Sequence, residues 1–129
     1  MLFRSNQSGV ARGIFPESAL APVELRLREL LGAIGVELDG FYYCPHHPDG
    51  VVAAYVRVCV CRKPAAGMLM RAGHELDLDL SRSWMVGDIL DDVAAGNAAG
   101  CQTVFLDIGH EDQWVSGPGR TPKIGRAHV

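Results

Sequence analysis

Two short runs of cysteine and histidine are the residues in this chain most suited to chemistry. Cys44-Pro45-His46 comes first, and Cys59-Val60-Cys61 follows after a short loop. A structural zinc site takes four tetrahedral ligands from cysteine thiolates and histidine nitrogens, and thiolates disfavour magnesium and calcium. The spacing therefore predicts a zinc-binding loop over residues 44–63, with the ligands Cys44, His46, Cys59 and Cys61. His47 is a second candidate for the histidine position, and four unrelated side chains are the alternative.

Two cations directly follow the second cysteine pair. Arg62 and Lys63 precede Pro64, a residue that is favoured at the first position of a helix. Helix amino termini attract phosphate, and lysine adds a point charge that neutralises an anion. We therefore expect Arg62 and Lys63 to face an anionic substrate. A solvated basic pair is the alternative.

One carboxylate is placed where a hard cation could bind. Asp88 follows Gly87 at the end of a short apolar run. A carboxylate at the carboxyl edge of a parallel strand is well placed to hold Mg²⁺. The alternative is that Asp88 caps the next helix. Asp92, one helical turn further on, is expected to order this loop.

A polar loop near the start of the chain offers further donors. Ser5-Asn6-Gln7-Ser8-Gly9 carries hydroxyl, amide and backbone N–H groups among small residues. Such loops can cradle a phosphoryl group, and an ordinary polar turn is the alternative.

The elements that must position these residues alternate between helix and strand. Apolar periodicity predicts helices over 17–34, from Pro64 to about Leu76, and over 89–99. Short apolar runs predict strands over 36–43, 83–88 and 101–107. This order predicts an α/β fold with a parallel sheet, in one domain over 1–129.

Composition excludes several classes of partner. The net charge is −3 and no basic stripe is present, so we expect no nucleic acid partner. No apolar run is long enough for a membrane span, and no signal peptide is recognisable. Four cysteines without a secretory signal fit a reducing compartment, so we expect a cytoplasmic protein. We also expect a monomer.

Both ends of the chain resemble translated sequencing adapter. Residues 1–5 and 124–129 are therefore expected to be non-native, and ordinary frayed termini are the alternative.

Together the motifs resemble the haloacid dehalogenase (HAD) phosphohydrolases, in the D,D-heptose 1,7-bisphosphate phosphatase and histidinol-phosphatase branch. The resemblance covers nearly the whole chain between its two ends. It rests on the second motif over 5–13, the zinc loop from Phe41 to Pro48, the closing run from Cys59 to Pro64 and the fourth motif over 86–92.

The resemblance implies a Rossmann-like fold with a zinc loop insertion and a role for each candidate residue. Ser5, Asn6, Gln7 and Ser8 would bind the phosphoryl group, Arg62 the substrate, and Asp88 would hold Mg²⁺. Lys63 would neutralise the phosphoryl group and position the nucleophile, while the four cysteine and histidine ligands would hold a structural zinc ion. The implied reaction removes phosphate from a phosphorylated sugar, heptose 1,7-bisphosphate, through an aspartyl-phosphate.

The chain also departs from the family pattern. The nucleophilic aspartate belongs to an Asp-x-Asp-Gly strand that would lie upstream of Ser5, and Ile89 stands where heptose phosphatases often carry lysine. We therefore expect a truncated fold with an open strand edge, and no turnover by this chain itself. Histidinol-phosphate phosphatase and a non-catalytic zinc module are the competing interpretations.

Overall fold

The computed structural model describes residues 1–112, 114–115 and 117–128. They form two compact units, Met1–Cys59 and Val60–Val129, and each unit combines helices with parallel strands. None of the helices over the described ranges is long and apolar enough to cross a bilayer. The predicted α/β class with parallel strands is therefore confirmed.

The first unit is built on a two-stranded parallel sheet. Strand β1 (Leu2–Asn6) pairs with β2 (Gly40–Cys44), and Asn6 lies opposite Cys44 at the carboxyl ends of both strands. A short helix α1 (Ser8–Ala11) follows β1, and helix α2 (Leu20–Gly32) follows a 3₁₀ turn over Glu17–Ala19. The buried apolar side chains of this unit come from α1, α2, the segment before β2 and the end of β2: Val10, Ala11, Leu20, Leu38 and Cys44.

Helix α2 buries fewer of its apolar side chains than its periodicity predicts. Leu20 is only 4% exposed, whereas Val23 and Leu30 are 51% and 52% exposed. The chain leaves the helix through Gly35, whose φ of +74° lies in the left-handed region that favours glycine.

The second unit is a three-stranded parallel sheet with two helices. Helix α3 (Gly67–Glu75) precedes strand β3 (Trp84–Gly87), and helix α4 (Leu90–Ala98) connects β3 to strand β4 (Gln102–Asp107). Strand β5 (Gly125–His128) completes the order β3-β4-β5. Two clusters form its core, one of Leu69, Met85, Ala95 and Cys101 and one of Leu90, Val93 and Phe105.

Several predicted boundaries are wrong. Helix α3 begins at Gly67 and not at Pro64, because the preceding residues form a turn in which Ala65 N–H donates to the carbonyl of Arg62. The segment predicted as a loop after Asn6 contains α1, and the strand predicted from Val36 begins only at Gly40.

Two further strands were not predicted at all. Strands β1 and β5 lie largely within the two ends expected to be non-native. Each end forms a parallel ladder with its neighbour, since strand pairing can order a segment that has no periodicity of its own. Whether these ends are native stays a prediction, and Val129 lies outside the described residues.

Candidate functional site

The predicted metal ligands come together around Cys44, the last residue of β2. The Cys44 sulfur lies 3.4 Å from the Cys59 sulfur and 3.7 Å from Nδ1 of His46. The ligand atoms of these three residues and of Cys61, two residues beyond Cys59 along the chain, all lie within 4.8 Å of one another. We call these four residues the metal cluster. Three thiol groups and one imidazole are a donor set that suits zinc in a closed structural site.

The structure distinguishes His46 from His47. His47 is buried, and its Nδ1 accepts a hydrogen bond from the backbone N–H of Asp49 at 3.0 Å. Its Nε2 lies 3.2 Å from the guanidinium of Arg12. Both ring nitrogens of His47 are therefore engaged away from the metal cluster, which leaves His46 as the histidine ligand.

The surroundings of His46 favour the form that binds metal. Burial, assisted by the positive charge of Arg57, holds the pKa of His46 below its ordinary value. A neutral imidazole has a free lone pair for a metal ion, whereas the protonated ring has none. Cys44 is itself buried, and the other three residues of the cluster are partly exposed.

Lys63 forms a buried ion pair in the second unit. Its Nζ donates to Oδ1 of Asp92 at 2.5 Å, and the two side chains are only 11% and 5% exposed. Gly87 allows this approach, because a Cβ at Gly87 would lie 2.1 Å from the Cβ of Asp92. The prediction that Asp92 orders the loop did not include Lys63 as its partner. Asp91, its neighbour in sequence, instead binds Arg120 at 2.8 Å.

Asp88 lies directly after β3, as predicted, and contacts a residue that follows β4. Nδ1 of His110 donates to Oδ2 of Asp88 at 2.5 Å, and this hydrogen bond holds the pKa of Asp88 below its ordinary value. Asp88 is therefore favoured in its ionised form, and ionised carboxylate oxygens are the ligands that Mg²⁺ prefers. The alternative interpretation of Asp88 as a helix cap is wrong, because α4 begins at Leu90 and Ile89 is its capping residue.

The backbone N–H groups at the amino end of α4 donate to carboxylates other than Asp88. Ile89 N–H donates to Asp92 at 3.4 Å, and Leu90 N–H donates to Glu111 at 2.5 Å. Sequence reasoning missed His110 and Glu111, although the rule that parallel strands end at one edge could have drawn attention to residues just after β4.

Arg62 carries a buried nitrogen available to a ligand. Its Nη1 is buried, and its N–H groups find no acceptor among the residues that the structure describes. A buried donor without an acceptor is costly, so an anion that supplied one would bind favourably there.

The predicted phosphate loop lies at the carboxyl end of β1. Ser5 accepts a hydrogen bond from the side chain of Gln7 at 2.9 Å, and Gln7 N–H donates to the carbonyl of Cys44 at 2.8 Å. Asn6 ends the strand and Ser8 begins α1. These residues belong to the first unit and Lys63 and Asp88 to the second, so the convergence of the two groups on one substrate stays a prediction.

Curated relatives of this chain are heptose phosphatases. Over 102 residues, or 79% of the chain, it is 47% identical to D-glycero-beta-D-manno-heptose-1,7-bisphosphate 7-phosphatase of Yersinia pestis and 46% identical to that of Escherichia coli K12. These matches cover 54% and 53% of the two relatives, so the chain spans about half of their length.

Two solved structures resemble the chain. One is D,D-heptose 1,7-bisphosphate phosphatase from B. bronchiseptica complexed with magnesium and phosphate, at 34% identity and a TM-score of 0.71 over 81% of this chain and 55% of that one. The other is a HAD-like phosphatase candidate from Mesorhizobium loti, at 42% identity and a TM-score of 0.77 over 92% of this chain and 55% of that one. The family model described as HAD-hydrolase-like matches residues 60–124, which include Arg62, Lys63, Asp88 and Asp92. The chain belongs to the HAD-like hydrolase family.

Proposed function

We propose that this chain forms part of a phosphatase that hydrolyses a phosphoric monoester of a sugar, with heptose 1,7-bisphosphate as its substrate. The observation that carries the proposal is the buried Lys63–Asp92 pair next to Arg62 and on the same unit as Asp88. The similarity to heptose-bisphosphate phosphatases supports the choice of sugar over histidinol phosphate. A cytoplasmic location and a monomeric state remain predictions.

Each proposed role follows from charge and position. Lys63 neutralises the phosphoryl group, and Asp92 holds its ammonium group in place at 2.5 Å. The buried Nη1 of Arg62 donates its N–H groups to the substrate, and further hydroxyl and amide donors come from Ser5, Asn6, Gln7 and Ser8. Phosphoryl transfer depends mainly on such positioning and charge neutralisation.

Asp88 is the proposed ligand of the Mg²⁺ ion. Its carboxylate is ionised and lies just beyond the carboxyl end of β3. When bound, Mg²⁺ neutralises negative charge on phosphate oxygens. The magnesium and phosphate in the B. bronchiseptica relative support this assignment. The aspartyl-phosphate route needs a nucleophilic carboxylate, which we still expect upstream of Ser5.

The test compares the 129-residue chain with a chimera. The chimera adds the parts of the Yersinia pestis relative that lie outside the matched region. We expect the chimera to release phosphate from heptose 1,7-bisphosphate faster than from histidinol phosphate, and the 129-residue chain to release none. Asp88→Ala should lower the rate of the chimera at least about a hundredfold. Arg71→Ala, which changes an exposed residue of α3, should not alter it.

Two results would overturn this proposal. One is a chimera that prefers histidinol phosphate or is unaffected by Asp88→Ala. The other is phosphate release by the 129-residue chain that Asp88→Ala abolishes, which would mean that no upstream nucleophile is needed.

We also propose that the metal cluster holds one structural zinc ion. The donor set and the short distances among Cys44, His46 and Cys59 support this assignment. Purified chain should contain about one zinc ion per molecule by elemental mass spectrometry. Cys59→Ser should abolish zinc retention, whereas Cys101→Ser should retain it because Cys101 lies in the core beside Met85. Equal zinc loss in both variants would contradict the assignment.

A further inference from the structure

One carboxylate of the first unit holds two tyrosines that lie on either side of the Cys44–His46 ligand pair in the sequence. Oε1 of Glu17 accepts a hydrogen bond from the Tyr43 hydroxyl at 2.9 Å, and Oε2 accepts one from the Tyr55 hydroxyl at 2.6 Å. Glu17 lies in the 3₁₀ turn that leads into α2, and neither the sequence motifs nor the proposed reaction involves it.

The two tyrosines lie directly before and shortly after the first pair of ligands. Tyr43 directly precedes Cys44 on β2, and Tyr55 ends the 3₁₀ turn Ala53–Tyr55 that leads towards Cys59. The Tyr55 carbonyl accepts the backbone N–H of His47 at 3.2 Å. The Tyr55 ring also lies 6.5 Å from the His46 ring, centroid to centroid. Tyr55 therefore contacts the histidine pair of the loop as well as Glu17, which lies outside the loop.

The ionisation state of Glu17 agrees with this geometry. The hydrogen bonds from Tyr55 and Tyr43 hold the pKa of Glu17 below its ordinary value. Hydrogen bonds from hydroxyl groups to an ionised carboxylate are shorter and stronger than those between neutral groups.

We propose that Glu17 is a positioning residue for the metal cluster, which fixes the loop over residues 44–59 in its ligating conformation through Tyr43 and Tyr55. The proposal rests on the proposed zinc ion. Without the two hydrogen bonds, a metal ion would have to order the loop itself, and that entropy cost would reduce its affinity. Changes to residues that orient metal ligands typically lower metal affinity about 10- to 100-fold.

The test is a titration of the metal-free chain with Co²⁺, read from the thiolate-to-cobalt absorption bands. We expect Glu17→Gln to weaken Co²⁺ binding about tenfold, and Tyr43→Phe/Tyr55→Phe to do the same. Combining all three substitutions should cause no further loss, because Glu17→Gln removes the ionised acceptor and the tyrosine substitutions remove the donors of the same two charge-assisted hydrogen bonds. Glu24→Gln is the matched control, since Glu24 lies on α2 and pairs with Arg28. It should leave Co²⁺ affinity unchanged.

The outcomes separate this inference from the zinc proposal. Thiolate-to-cobalt bands in the unsubstituted chain, with Glu17→Gln affinity within twofold of it, would overturn the positioning role alone. Absence of these bands in the unsubstituted chain would overturn both the zinc proposal and the positioning role. If Glu17→Gln does not fold by far-ultraviolet circular dichroism, Tyr55→Phe, which removes a single hydroxyl, decides the question by the same titration.

Discussion

At the scale of single residues, the Lys63–Asp92 pair is the most consequential contact of the second unit. A buried ion pair gains little net stability over apolar residues, because both charges lose their hydration. Removal of one member of the pair lowers the stability strongly, since it leaves the other charge buried without its counter-ion. We therefore attribute the pair to the proposed reaction, in which Asp92 holds the ammonium group of Lys63 in place.

We predict that Lys63→Met destabilises the second unit by about 3–5 kcal/mol, because Asp92 then loses its cation while only 5% exposed. Urea unfolding followed by tryptophan fluorescence measures this, since both tryptophans, Trp84 and Trp114, belong to that unit. Adding Asp92→Asn should recover most of the loss, because asparagine keeps an oxygen for Ile89 N–H.

The matched control for this prediction is Arg71→Met, which breaks the exposed pair with Glu75. It should change the free energy of unfolding by less than about 1 kcal/mol. If Lys63→Met has an equally small effect, Asp92 does not depend on Lys63 for its burial.

Glu17 should make the first unit sensitive to acid. Its pKa is lowered in the folded state by hydrogen bonds from Tyr55 and Tyr43, so the unfolded chain binds this proton more tightly. Its contribution to stability is fully present above the unfolded pKa of 4.5 and is lost as the pH falls through the lower folded pKa.

We predict that Glu17→Gln removes this part of the acid dependence. The measurement is ¹⁹F NMR of metal-free, fluorotyrosine-labelled chain during urea unfolding, because all three tyrosines lie in the first unit: Tyr42, Tyr43 and Tyr55. The difference in free energy of unfolding between the two chains should shrink as the pH falls below 4.5. A difference that does not vary with pH would contradict the prediction.

At the scale of elements, α4 is held against its sheet by a close approach at Gly96. A Cβ at this position would lie 2.6 Å from Cγ of Met85 on β3 and 2.6 Å from Cγ2 of Thr103 on β4. The side chain of Asn97 adds polar contacts, because it accepts from Thr103 and donates to the carbonyls of Gly119 and Thr121. The position of α4 in turn places Asp92 beside Lys63.

We predict that Gly96→Ala destabilises the second unit by about 1–3 kcal/mol through overpacking. This should outweigh the gain of about 0.5–1 kcal/mol that alanine brings to a helix interior. Tryptophan fluorescence in urea again provides the measurement. Gly117→Ala should be nearly neutral, since the nearest atom to its Cβ, Cδ of Arg120, lies 3.9 Å away. Equal effects of both substitutions would argue against a close helix–sheet contact.

At the scale of the whole molecule, each unit exposes apolar side chains on a regular element. Helix α2 and the segment after it expose Val23, Leu30 and Ile34, and strand β3 exposes Trp84 and Val86. Exposed apolar residues on ordered elements promote association and aggregation.

We predict that Val23→Gln/Leu30→Gln reduces concentration-dependent light scattering. The free energy of unfolding should stay within about 0.5 kcal/mol of the unsubstituted value, because both residues are already in water. Leu20→Ala, at a buried position of the same helix, should instead cost about 2–5 kcal/mol. A loss in the double variant as large as that of Leu20→Ala would show that this face is covered in solution, contrary to the predicted monomer.

Features that depend on residues close together in the chain were predicted from the sequence alone. Three cysteines and a histidine at short spacing identified the metal cluster, and the structure brings Cys44, His46, Cys59 and Cys61 together. Strands and helices of strong periodicity were likewise predicted, with errors of a few residues at their ends. Local spacing limits where such side chains can lie, so these features can be read without the fold.

Contacts between residues far apart in the chain became evident only in the folded structure. In the fold, His47 contacts Arg12, and Lys63 forms an ion pair with Asp92. Glu17 accepts hydrogen bonds from Tyr43 and Tyr55. The fold also orders β1 and β5, whose sequences alone did not predict strands. These outcomes depend on which elements pack side by side, and burial and hydrogen bonding are properties of that packing and not of local sequence.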